Sequence, residues 1–232
     1  MLRQEYVIEL VGISKVFQEG NISHKVLDSV NFTFQKGKIY IMYGRSGSGK
    51  STLLNLISGI DTVSSGSIIV NGQNISNINE KNRTLYRRNN VGFIFQFFNL
   101  IPTLNVLENL ILPIELVKNV DKSDYEIAIE LLNKIGLADR KYTYPDRLSG
   151  GEQQRIAIAR ALVHNPQIIL ADEPTGNLDF ETGKSIVELL DNLVRKQGKT
   201  MIMATHSRDV IGLADYIINV KDGKLEVESG GI

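Results

Sequence analysis

The chain has 232 residues, 42% of them hydrophobic, which suits one large α/β unit with a substantial core. Lys plus Arg equals Asp plus Glu at 26 each, which excludes a global field drawing the protein to nucleic acid or an anionic bilayer, and no nucleic-acid partner is expected. Cysteine is absent, excluding disulfides and thiolate metal sites; with no signal-peptide core and no window near the roughly 20 apolar residues of a membrane span, a soluble chain is expected.

Strand and helix patterns alternate along the chain. Strands are expected at Tyr6–Val11 and Val26–Phe34, then at Lys38–Tyr43, which runs straight into a glycine-rich loop. A helix over Lys50–Ser58 should stop at Gly59. Further strands are expected at Ser67–Val70 and Val91–Phe95. A mostly helical block from about Thr103 to Ile135 then interrupts the alternation, as an inserted subdomain would. After it come a helix from Gly150, a strand at Gln167–Ala171, a helix near Glu181–Lys196, a strand at Thr200–Ala204 and a last strand at Tyr216–Val220. No internal repeat or low-complexity linker is visible, and from the ending KLEVESGGI no regulatory domain is expected.

Residues 44 to 51 read GRSGSGKS, a complete G-x-x-x-x-G-K-[ST] P-loop placed between a strand and a helix. Gly44, Gly47 and Gly49 allow the backbone close to phosphate oxygens, and the amides from Ser46 through Ser48 to Ser51 can point inward as donors. The helix starting near Lys50 adds its positive end. Lys50 is expected to reach the β- and γ-phosphates, Ser51 to ligate Mg²⁺, and Thr52 to support the α-phosphate.

QIILADEP, from Gln167 to Pro174, reads as a strand buried on both faces that delivers Asp172 and Glu173 to the crevice at its carboxyl end. Asp172 is expected to hold Mg²⁺ through water. Glu173 is the candidate to orient and deprotonate an attacking water. Farther on, LSGGEQQR begins a helix: Ser149-x-x-Glu152 is a capping box, and Gly150 and Gly151 expose its first amides as an anion site requires. Because the chain already has one phosphate cradle, a second anion-binding helix end makes most sense facing the nucleotide of another subunit.

With these motifs in this order, the chain resembles the nucleotide-binding subunit of an ATP-binding-cassette (ABC) transporter over essentially its whole length. The resemblance implies an α/β P-loop ATPase domain with a parallel core sheet, an N-terminal antiparallel β part and an inserted α-helical subdomain. The single domain would span 1–232, with a RecA-like core at about 1–95 and 165–232 and a helical signature part at about 96–164. It also implies residue roles. Phe17 would stack on adenine, where Tyr is more usual; Gln96 would touch Mg²⁺ and sense the membrane partner; Asp179 would cross the dimer interface; His206 would contact the γ-phosphate. Arg45 stands where many relatives have Pro; it can reach phosphate, pair across a dimer, or remain solvated. Two copies would close head to tail on two Mg-ATP, each held by Lys50 of one copy and Ser149–Gly151 of the other.

The segment Gly92–Leu116, with its Phe-Asn-Leu-Ile-Pro run, Glu108-Asn109 and Leu112-Pro113, resembles the macrolide-exporter and lipoprotein-release class. That likeness implies a separate membrane permease with a large extracytoplasmic domain and a place on the cytoplasmic face of the cell membrane. Phe97, Phe98, Leu100 and Ile101 would form an apolar patch gripping a short permease helix, unless they pack the subdomain's own core. The work done would be export of a peptide or drug, or lipoprotein extraction; the alternative is force transmission of the cell-division type that moves no substrate. A DNA-acting cassette would need a long coiled-coil insertion, a ribosome-acting one usually two cassettes, and a kinase or GTPase would not need LSGGEQQR.

Overall fold

The computed structural model describes residues 6–207 and 210–228. Its first feature is a long antiparallel hairpin, β1 (Tyr6–Glu19) and β2 (Ile22–Gln35), turning at Gly20 and Asn21. Both strands outrun the expected segments, because Gly12, at φ 57, absorbs a register shift after Leu10 and pairing resumes beyond it. β4 (Ser65–Val70) and β5 (Gln73–Asn74) complete a four-stranded antiparallel sheet in the order β2-β1-β4-β5.

The second sheet has six strands. β3 (Ile39–Tyr43), β6 (Val91–Ile94), β7 (Ile168–Asp172), β8 (Thr200–Thr205), β9 (Tyr216–Lys221) and β10 (Lys224–Glu228) lie in the order β10-β9-β3-β8-β7-β6. All pairs are parallel except β10 with β9. Tyr216–Val220 is therefore not the last strand: β10 follows as an exposed edge whose KLEVE sequence carries little apolar signal.

Alternate residues along the central strands enter different cores, as a period of two requires. Tyr40, Met42, Leu170, Ile202 and Ala204 pack with the antiparallel sheet and α1 (Lys50–Ser58), which ends at Gly59 as expected. Ile41, Ile169, Ala171, Met201 and Met203 face the other way, against the remaining helices. Those are α3 (Val106–Glu115), α4 (Lys122–Lys134), α5 (Gly150–Leu162) and α6 (Phe180–Lys196), preceded by α2 (Glu80–Asn90) on the way to β6. The apolar cluster from Leu132 through Ile156 to Ile169 is continuous, so the inserted helices share a core with the sheet.

α2 was not expected: EKNRTLYRRNN buries only Tyr86, and its start rests on Asn79, which caps the amide of Asn82. α5 lies hard against β6. A Cβ on Gly92 would stand 2.1 Å from the Ala161 carbonyl oxygen, so glycine is what allows this approach. Among the described residues, no helix is long and apolar enough to cross a membrane.

Candidate active site

Three adjacent parallel strands deliver the candidate residues to one end of the sheet. β3 leads into the P-loop, β7 into Asp172 and Glu173, and β8 into His206; Tyr43 pairs with Thr205, and Asp172 with Ala204, so the strand ends are level. A cleft of about 710 Å³ opens there, lined by Val26, Ser46, Gly47, Ser48, Gly49, Lys50, Ser51, Thr52, Gln96, Asp172, Glu173 and His206.

Gly44 is demanded by the neighbouring strand and by the loop itself. A Cβ there would lie 2.7 Å from the Val220 carbonyl oxygen and 2.9 Å from Ser48 Oγ. Gly49 is the N-cap of α1 at φ 102, in the left-handed region, and supplies no side-chain cap. With no acidic residue in its first turn, α1 presents an uncompensated positive end to the cleft. Lys50 is buried, and its Nζ donates to the carbonyl oxygens of Gly44, at 2.8 Å, and Arg45, at 3.0 Å. The ammonium group thus sits inside the span of the loop.

Ser51 Oγ donates to Asp172 Oδ1 at 3.0 Å, bringing the two expected metal ligands together. Burial pushes the Asp172 carboxyl above its ordinary range; the Ser51 bond opposes this, the neighbouring Glu173 charge adds to it, and Lys50 opposes it more weakly.

Glu173 is a non-glycine residue at φ 47, a conformation that costs on the order of 1–3 kcal/mol and persists only where its surroundings impose it. Its amide donates to the Ala204 carbonyl at 2.9 Å, its own carbonyl accepts from the Gly176 amide at 3.0 Å, and its side chain is largely enclosed. His206 Nδ1 stands 2.8 Å from Glu173 Oε1. Gln96 borders the same cleft, and its carbonyl accepts from Asn177 Nδ2 at 2.8 Å.

The remaining expected residues lie elsewhere. Gly44 and Arg45 line an adjoining cleft with Lys25, Asn219 and Gly223. Phe17 is 38% exposed on β1, with Lys15 Nζ 4.8 Å from its ring centre, and is not part of the P-loop cleft lining; Val26 on the facing strand is. Ser149, Gly150 and Gly151 do not line that cleft either. Ser149 caps α5 and is exposed: its Oγ donates to Glu152 Oε2 at 2.9 Å and accepts the Glu152 amide at 3.3 Å. Asp179 caps α6 by accepting the Thr182 amide at 3.1 Å, a structural task beyond the interface role expected for it.

The expected apolar patch divides. Leu100 packs on the core, Phe98 sits near Gly150, and Phe97 remains 68% exposed. Arg160 donates to the carbonyls of Phe98 and Asn99, and the buried Asn109 accepts the Ile101 amide and donates to three carbonyls from Ile101 to Asn105. Both hold the loop after Gln96. Neither was anticipated; the one available signal is an asparagine on the buried side of an apolar helix.

Comparison with known proteins accords with this geometry. Residues 27–176 match the family described as ABC transporter. An uncharacterized ABC transporter ATP-binding protein of Mycobacterium tuberculosis is 50% identical over 224 residues, covering 97% of this chain and 90% of that protein. One from Thermotoga maritima is 40% identical and covers 97% of both chains. The dimeric post-hydrolysis structure of the ATP-binding cassette MJ0796, bound to ADP and Pi, superimposes with a TM-score of 0.88 at 38% identity, covering 97% of this chain and all of that one. On this match, and with a P-loop facing an acidic strand end, the chain belongs to the ABC transporter ATP-binding proteins and is an ATP hydrolase.

Proposed function

We propose that two copies of this chain close on two ATP molecules and that the closure and its release drive a separate membrane permease. The carrying observation is the separation of two helix starts: α1 opens into the P-loop cleft, whereas the α5 start at the exposed Ser149 takes no part in lining it. A second copy would supply α5 to the first copy's nucleotide, with Asp179 near the seam. The dimeric state of MJ0796 supports this reading. The whole of 1–232 acts here as one cassette, with a core at 1–95 and 165–232 and a helical part at 96–164.

Magnesium fits the donors present. The Ser51 hydroxyl, the Asp172 carboxylate and the Gln96 side-chain amide oxygen are hard ligands bordering one cleft. The remaining ligands would be water and phosphate oxygens. When bound, it would supply charge neutralisation at the phosphates. Lys50 would turn from the loop carbonyls to the β- and γ-phosphates, and the loop amides would bind phosphate oxygens. Glu173 would take the proton of the attacking water, with His206 holding that carboxylate and meeting the γ-phosphate. Phe17 would stack on the adenine, and Arg45 would reach phosphate.

The permease would dock in a shallow apolar groove beside the Gln96 loop, lined by Phe93, Phe95, Ile101, Leu112, Pro113 and Leu116. Docked there, the protein would sit on the cytoplasmic face of the membrane. The likeness of Gly92–Leu116 to the macrolide-exporter and lipoprotein-release class supports a permease with a large extracytoplasmic domain, and export of a peptide or drug or extraction of a lipoprotein. In the test, Glu173→Gln should become a dimer on adding ATP, measured by light scattering, and adding Ser149→Arg should keep it monomeric without weakening nucleotide binding. A Glu173→Gln protein that stays monomeric at saturating ATP would refute the sandwich.

A further inference from the structure

α5 does more than present Ser149. Its inner face is held to the segment that follows Glu173 by two hydrogen bonds and one close approach. Gln154 Nε2 donates to the Pro174 carbonyl at 2.7 Å, a Cβ on Gly151 would stand 2.6 Å from Thr182 Cγ2, and Arg155 Nη2 donates to Ser185 Oγ at 2.9 Å. Gln154 is fully buried, and among the described residues its Oε1 has no hydrogen-bond partner. A buried amide oxygen without a donor is destabilising and offsets what the bond to Pro174 contributes. The amide is therefore poorly explained as a stabilising core residue. Its one bond ends on the carbonyl immediately after Glu173, whose left-handed backbone needs outside support.

We infer that Gln154 is a positioning residue for ATP hydrolysis: its bond to Pro174 fixes the backbone that aims Glu173 and couples that aim to the helix carrying Ser149–Gly151. Contact of Ser149–Gly151 with a phosphate of the facing copy would then be felt at Glu173 within the same chain. This rests on the proposed roles of Glu173 as the base and Ser149–Gly151 as a phosphate site in trans.

The test uses Gln154→Leu and Gln154→Met, which keep the volume, delete the donor and remove the unpartnered oxygen. The expected result is a loss of kcat of at least about tenfold with KM for ATP held within about twofold. The melting temperature should fall by only a few degrees, the cost of leaving the Pro174 carbonyl without its donor. In a Glu173→Gln background, ATP-driven dimerisation should persist with Gln154→Leu. The inference is overturned by unchanged kcat in both variants, or by kcat falling only in step with melting temperature. Should Glu173→Gln with Gln154 intact fail to dimerise, the sandwich reading falls, while kcat and melting temperature of the single variants still judge Gln154.

Discussion

His206 holds Glu173 at both carboxylate oxygens: Nδ1 lies 2.8 Å from Oε1, and the His206 amide donates to Oε2 at 3.3 Å. The imidazole itself is mostly exposed, at 69%, while the carboxylate is 15% exposed. An open histidine therefore orients a sheltered carboxylate at the P-loop cleft.

Replacing either partner should separate chemistry from binding. Glu173→Gln is expected to lower kcat by about 10²- to 10⁴-fold, the range of a general base, with nucleotide affinity kept. His206→Ala should lower kcat by about 10²-fold, because the backbone bond to Oε2 survives. Steady-state ATPase assays and equilibrium nucleotide binding together check both.

Lys50 is expected to behave oppositely. Its ammonium is already desolvated against two loop carbonyls, so moving it onto phosphate exchanges bonds rather than stripping water. Lys50→Met should weaken ATP binding by roughly 10- to 100-fold, the worth of one or two charge-assisted bonds. Titration calorimetry on the monomeric protein would measure this; affinity unchanged by the substitution would contradict it.

Gly92→Ala tests the seam between the inserted helices and the sheet. The new methyl would meet the Ala161 carbonyl oxygen at 2.1 Å, and backbone cannot rotate aside as a side chain would. The expected cost is about 3 kcal/mol or more. At roughly 2–4 °C per kcal/mol, the melting temperature should fall by about 6 °C or more.

Glu152 gives a pH signature of the α5 start. The Ser149 amide, then the Ser149 hydroxyl, hold its carboxyl below the ordinary value of 4.5. A carboxyl depressed in the folded state adds stability above its unfolded value and loses it as pH falls through the folded one. Glu152→Ala should thus destabilise by about 0.5–1 kcal/mol at pH 7, the size expected for a solvated cap. Below pH 4.5 the gap to wild type should shrink, which thermal melts across acid pH would register; a constant gap would count against the assignment.

Much of this architecture is visible in the chain because its signals are local. α6 carries the stripe Ile186, Leu190, Leu193 and Val194, and the P-loop, Asp172 and Glu173 are contiguous words attached to apolar strands. What was missed lacks such a signal. α2 buries one side chain, β10 is a polar edge, and the arms of β1 and β2 run through a glycine bulge that breaks alternation. Gln154, Asn109 and Arg160 were missed for another reason: their meaning lies in carbonyls on other segments, which periodicity cannot reveal. The apolar run after Gln96 was only half legible, since residue type alone does not say that Leu100 turns inward while Phe97 stays out.

The close packing of Gly44 beneath the Val220 carbonyl has a consequence for biogenesis. The loop near the start of the chain is shaped by a strand near its far end, and the β9–β10 turn adds a bond from the Asp28 amide to the Gly223 carbonyl, at 2.9 Å, beside it. A nascent chain emerging from the ribosome holds the glycine-lysine motif long before the strand that moulds it exists. Competence to capture nucleotide should therefore wait until β9 has been made and folded, so chains stopped before that strand would not sequester ATP.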